Sequence, residues 1–143
     1  MSRGLFTEEH RIFRDALGRF MEKEIVPRYE KWEEDGIVPR MIWKKMGENG
    51  YLCPWLEEEY GGLSAGYEYS VIIMEELSYR GILGLMLPLH NDIIVHYIHS
   101  YGDAEQKKRW LPGCATGEII TAIAMTEPDT GSDLAAIKTS AIR

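Results

Sequence analysis

Cysteine is scarce: Cys53 and Cys114 are the only two, far apart in the chain and without a CxxC doublet. That argues against a disulfide framework or a zinc site and fits a reducing compartment. Positive charge is also short, because 16 Lys and Arg face 23 Asp and Glu and leave a net charge of −7. No basic stripe exists to grip a phosphate backbone, which argues against nucleic acid as a partner. Long apolar runs are missing as well. The longest stretch without charge, residues 81–91, is too short to span a bilayer and contains Pro88, His90 and Asn91. Residues 1–6 carry no apolar segment behind a basic one, so no targeting segment is visible. The expectation is a soluble chain, cytoplasmic or, in a eukaryote, of the mitochondrial matrix.

What is present suits one helical domain. The 143 residues, 45% of them hydrophobic, can bury a continuous core without crosslinks. Thr7 is placed to cap a first helix whose Ile12, Phe13, Ala16, Leu17, Phe20, Met21 and Ile25 recur at helical steps. Pro27 kinks or ends it, and Gly36 closes the next turn or two of chain. Pro39 suits the first turn of a second helix carrying Ile42, Trp43 and Met46 and stopping by Gly50. Residues 51–66, with Pro54, Gly61, Gly62 and Gly66, read as a loop. A third helix is predicted over 67–79, buried at Val71, Ile72, Ile73 and Met74. A fourth runs from Gly81 to about His99, with Pro88 in its first turn or kinking it. Asp103 and Gln106 form a capping box for a short fifth helix that ends before Pro112.

At Ile119 the period changes. Residues 119–125 are rich in β-branched side chains and read as a strand, residues 126–133 as a loop, and residues 138–143 as a second strand. The fold class is therefore mainly α: a helical domain over 1–117, then the opening of a β region over 118–143. An unpaired apolar strand exposes its backbone groups, so the segment from Ile119 on is expected to fold back on the helical body or to pair with another copy.

The loop holds the chemistry. In Thr126-Glu127-Pro128-Asp129-Thr130-Gly131-Ser132-Asp133, Pro128 fixes a turn and Gly131 permits amides to face a ligand. Thr126, Thr130 and Ser132 add hydroxyl donors. With its lead-in Ile123-Ala124-Met125, this segment resembles the TEPxxGSD flavin-binding signature of acyl-CoA dehydrogenases. Lys23-Glu24-Ile25-Val26-Pro27, Trp43 to Gly50 with Glu59-Tyr60-Gly61-Gly62, Glu75-Glu76-Leu77, and Tyr101-Gly102 with Gln106-Lys107 match the family in order. The lead-in and residues 134–138 look most like the long-chain branch. Thr130 departs from the family, where a small Ala is frequent.

The resemblance implies the N-terminal helical domain of an FAD-dependent enzyme of fatty-acid β-oxidation. In that reaction a carboxylate removes the α-proton of an acyl-CoA thioester while the β-hydride passes to flavin N5, giving the trans-2-enoyl-CoA. It implies that Ile123, Ala124, Met125, Thr126, Gly131 and Ser132 meet the FAD, with Ser132 on its pyrophosphate or on the CoA arm. The family's catalytic glutamate lies in a C-terminal domain, so no catalytic residue is assigned, and the chain alone is expected to be inactive. Leu85, Met86, Leu89 and Ile93 read equally as core or as the acyl channel. The partners implied are acyl-CoA, an electron-transfer flavoprotein or similar acceptor, and copies of the chain in a dimer or tetramer. A related acyl-CoA oxidase or flavin monooxygenase, or a free-standing helical interaction module, is the alternative. His96 and His99 stand three residues apart on a helix but lack a third ligand, so no metal is assigned. Glu127, Asp129 and Asp133 read as solvated loop carboxylates or a cap, and Glu75 and Glu76 as solvent-facing or salt-bridged.

Overall fold

The computed structural model describes residues 4–142, and these form a mainly α body as expected. Residues 1–3 and Arg143, the last residue of the second expected strand, lie outside the described residues. The first helix, α1, runs Glu8–Glu24 behind a capping box in which the Thr7 hydroxyl accepts from the His10 backbone. The chain breaks at Ile25, and Pro27 sits in the first turn of α2, Val26–Asp35, where its missing N–H costs nothing. Pro39 is the N-cap of α3, Arg40–Glu48.

A loop with a short 3-10 turn at Glu58–Tyr60 leads to α4, Tyr67–Tyr79, as the apolar pattern predicts. The next helix begins later than its sequence suggests. Residues 81–86 are turns, and a one-turn α5, Leu87–Leu89, carries Pro88 at its start. It continues through a π turn, His90–Ile94, into α6, Val95–Tyr101.

The fifth expected helix is longer than predicted. Here α7, Ala104–Thr116, starts on the Asp103–Gln106 capping box but passes through Pro112. Proline removes one helix hydrogen bond. Buried Leu111, Cys114 and Ala115 hold the helix on both sides of it, so packing overrides the local signal.

Helix α1 packs on α2 and α4, and α7 packs on α3 and α6. Leu17, Met21, Trp43, Met46, Ile72 and Ile73 belong to the main core. A second cluster collects Cys53, Leu56, Val95, Leu111 and Cys114. Where α3 meets α7 the backbones touch. A Cβ on Gly117, which has φ 76°, would collide with the Trp43 carbonyl, and one on Gly47 with that of Thr116. Both positions need glycine for contact, and Gly117 also for its left-handed turn.

Among the described residues no β-ladder forms, which corrects the strand expectation for 119–125 and for 138–142. β-branched side chains favour a pleated surface, but a ladder needs a neighbouring strand and none is present. The tail instead folds back over its first three residues. The Ile119 N–H donates to the Gly113 carbonyl at 2.9 Å, and Ile119 and Ile120 pack on the two clusters. Beyond them Ile123 is half-buried and Met125 is 46% exposed, so the fold-back does not extend along the whole segment.

Candidate functional site: an apolar cleft and a donor loop

Between α4 and the α5–π segment lies a cleft of about 430 Å3, lined by Met74, Leu77, Ser78, Ile82, Leu83, Met86, Pro88, Leu89 and Ile93. Its one hydroxyl is spent, because Ser78 Oγ donates to the Met74 carbonyl at 2.7 Å. The wall therefore offers a ligand hydrocarbon contact and no free polar side chain. Met86 stands at the rim, 54% exposed and with φ 51°.

The pocket helix is anchored on its other face by buried polar groups. Asn91 Oδ1 accepts from the Cys53 N–H at 3.0 Å and Asn91 Nδ2 donates to the Tyr51 carbonyl at 3.0 Å. His90 binds the start of the tail. Its Nδ1 accepts from the Thr121 N–H at 3.2 Å and lies 2.9 Å from the Thr121 hydroxyl. A backbone N–H can only donate, so Nδ1 is unprotonated and Nε2–H donates to the Cys114 carbonyl at 3.1 Å. Burial pushes the imidazole pKa down, partly opposed by the Cys114 carbonyl bond. Burial likewise raises the Asp92 carboxyl, and Ser70 and His96 oppose it. The Cys53 and Cys114 thiols are buried and free, and Cys114 is raised to about 11, so both stay protonated.

The tail beyond Thr121 carries the loop. Glu127 N–H donates to the Thr130 carbonyl at 3.0 Å and Thr130 N–H to the Glu127 carbonyl at 3.1 Å, closing a turn around Pro128 and Asp129. Thr126, Gly131 and Ser132 are exposed. Among the described residues, no protein group bonds the Thr126 or Ser132 hydroxyl or the Gly131 and Ser132 N–H groups. A Cβ placed on Gly131 would meet nothing within 4 Å.

Residues 7–118 match the profile of the acyl-CoA dehydrogenase N-terminal domain. The chain belongs to this family. It is 40% identical over 139 residues to the mitochondrial long-chain specific acyl-CoA dehydrogenase of Sus scrofa, covering 97% of this chain and 32% of that protein. An acyl-CoA dehydrogenase from Geobacillus kaustophilus has a TM-score of 0.89 and 58% identity, over 96% of this chain and 36% of that one. An acyl-CoA dehydrogenase complexed with FAD from Bacillus anthracis has a TM-score of 0.87 and 33% identity, over 96% of this chain and 24% of that one. The chain thus spans about a third of the length of the curated relatives it matches.

For an acyl-CoA dehydrogenase N-terminal domain, the unbonded donors around Gly131 form a set that fits an acceptor-rich group such as FAD. Of the residues assigned to an acyl channel, Leu89 and Ile93 line the cleft and Met86 its rim, while Leu85 is only 2% exposed and belongs to the core. Ile123 is half-buried and Ala124 exposed, and neither they nor the donor loop contribute to the cleft lining. The sequence reading missed Met74, Leu77 and Ser78 as lining, although they share a face of α4 at helical spacing. The histidines pair separately: His96 stacks on Trp55 at 3.6 Å, and His99 lies 3.0 Å from Glu57. No helix among the described residues is long and apolar enough to cross a membrane.

Proposed function

We propose that residues 1–117 are the helical domain, and residues 118–143 the opening of the β domain, of an FAD-dependent dehydrogenase that oxidises fatty acyl-CoA to trans-2-enoyl-CoA. The observation that carries this reading is the cleft of about 430 Å3 without a free polar side chain. Such a wall rewards each methylene removed from water by about 0.8 kcal/mol and penalises an acyl group whose far end is charged. The chain of the thioester packs against Met74, Leu89 and Ile93, Met86 closes the rim, and Leu85 supports the wall from the core.

Thr126 and Ser132 donate to the flavin, Ser132 at its pyrophosphate or at the CoA arm, and Ile123, Ala124, Met125 and Gly131 flank its edge. Bound FAD supplies the hydride acceptor. No Asp or Glu lines the cleft, so the α-proton base is supplied from outside these residues. Electrons leave to an electron-transfer flavoprotein or a similar acceptor, and the enzyme assembles as a homodimer or tetramer.

The test is the affinity of straight-chain acyl-CoA ligands for the flavin-loaded enzyme carrying this domain. Affinity should rise about fourfold per added methylene until the cleft is filled, and Ile93→Asp should abolish the rise. Affinity indifferent to chain length would overturn the proposal.

A further inference from the structure

Glu127 is exposed enough to be solvated, yet its carboxylate is fully engaged. Its Oε2 accepts from the Lys138 N–H at 2.9 Å, and its Oε1 accepts from the Thr139 N–H at 2.9 Å and from the Thr139 hydroxyl. Lys138 Nζ reaches Asp129 Oδ2 at 3.0 Å, so both sides of the segment are tied to the same turn. These bonds close a loop from residue 127 to residue 139 that contains Gly131 and Ser132. Inside it Thr130 is 2% exposed, although its neighbours are open to solvent.

We infer that Glu127 is a positioning residue: its carboxylate pins residues 138–139 to the 127–130 turn and thereby fixes the direction of the Gly131 and Ser132 donors. The flavin as the ligand of those donors rests on the proposed function; the clamp itself does not. A loop closed before the ligand arrives loses less conformational freedom on binding, which is how a group that never touches the ligand contributes to affinity. Glu127 can be altered without unfolding the protein, because Thr130 is the only buried residue among the described residues beyond Thr121.

The experiment is backbone relaxation by NMR on the 143-residue chain, with FAD titrated into the same samples. In wild type the Gly131, Ser132 and Thr139 amides should have order parameters near 0.85, and in Glu127→Ala below about 0.6. Amides of α1 to α7 should be unchanged. Glu127→Gln keeps a carbonyl acceptor and should recover part of the rigidity. FAD-induced shifts at Ser132 should need about tenfold more FAD in Glu127→Ala, the worth of one or two hydrogen bonds. Equal rigidity at Gly131 and Ser132 in wild type and Glu127→Ala would overturn the inference. A wild-type chain with no FAD-dependent shift would count against the flavin reading, while loosening in Glu127→Ala would still support the clamp.

Discussion

Replacing His90 by alanine removes a ring that is 1% exposed and that joins the pocket helix to the tail. Burying an aromatic side chain and then deleting it costs about 3–5 kcal/mol for Phe or Trp. Imidazole is smaller, and the half-buried Thr121 amide can turn to water, so His90→Ala should cost about 2–4 kcal/mol. The pH dependence separates packing from protonation. His90 is held below the ordinary imidazole value by burial. Between the folded value and the unfolded value of about 6.5, the unfolded chain binds more protons, so stability rises with pH. The contribution is complete above the unfolded value and is lost as pH falls through the folded one. His96 is shifted in the same direction by burial, so wild type must be compared with a variant rather than read alone. His90→Gln can still accept from Thr121 and donate to Cys114 but does not titrate. Urea denaturation between about pH 8 and 5.5, above the ordinary carboxylate range, should show a steeper fall for wild type than for His90→Gln. Superimposable profiles would refute the neutral, tail-holding imidazole.

The Glu76 carboxylate takes Arg14 at 2.9 Å and Arg80 at 2.6 Å with only 9% of its side chain exposed. Glu76→Ala should therefore cost about 3 kcal/mol, and an unchanged denaturation midpoint would mean that solvent screens the network. Gly117→Ala drives a Cβ into the Trp43 carbonyl from a left-handed backbone and should cost about 2–3 kcal/mol, an expectation that an unaltered Tm contradicts. In the flavin-loaded enzyme, Ser132→Ala should weaken FAD or CoA binding about ten- to a hundredfold, while Thr126→Ala slows flavin reduction more than it weakens retention. Stopped-flow and equilibrium values unchanged in both would remove the case for the loop. The 143-residue chain alone should leave gel filtration without stoichiometric flavin and should not reduce an artificial acceptor with acyl-CoA and added FAD; turnover that co-purifies with it would sink the claim.

What could be read from the sequence was what short-range chemistry decides. Thr7 and Asp103 cap their helices through partners three residues on, and Pro88 starts a helix, because each needs only its own turn. The helix over 67–79 needed no more, although of its apolar centre only Ile72 and Ile73 are buried, Val71 and Met74 being half-buried. Pro112 misled because the side chains that hold α7 together come from elsewhere in the fold. Residues 119–125 misled in the opposite way, since strand propensity has no ladder to act through here. At the site, the turn over 81–86 sets the phase that sends Leu85 to the core and Leu89 and Ile93 to the cleft, and the apolar pattern alone does not distinguish them. Glu127 looked like a solvated carboxylate because its donors lie 11 and 12 residues further along.

The glycine contact between α3 and α7 has a consequence for how the chain is made. Gly47 and Gly117 are 70 positions apart; Gly47 sits against the backbone of Ala115 and Thr116, and Gly117 against that of Trp43 and Lys44. A ribosome therefore completes α3 long before the chain can supply its counterpart. Until Gly117 has left the exit tunnel, the backbone of α3 at Trp43 and Gly47 has no α7 to pack against, and the nascent chain carries an open seam there. A chain released early, anywhere before that glycine, would lack the latch and be open to chaperone capture and proteolysis at that seam, however well its first four helices had formed.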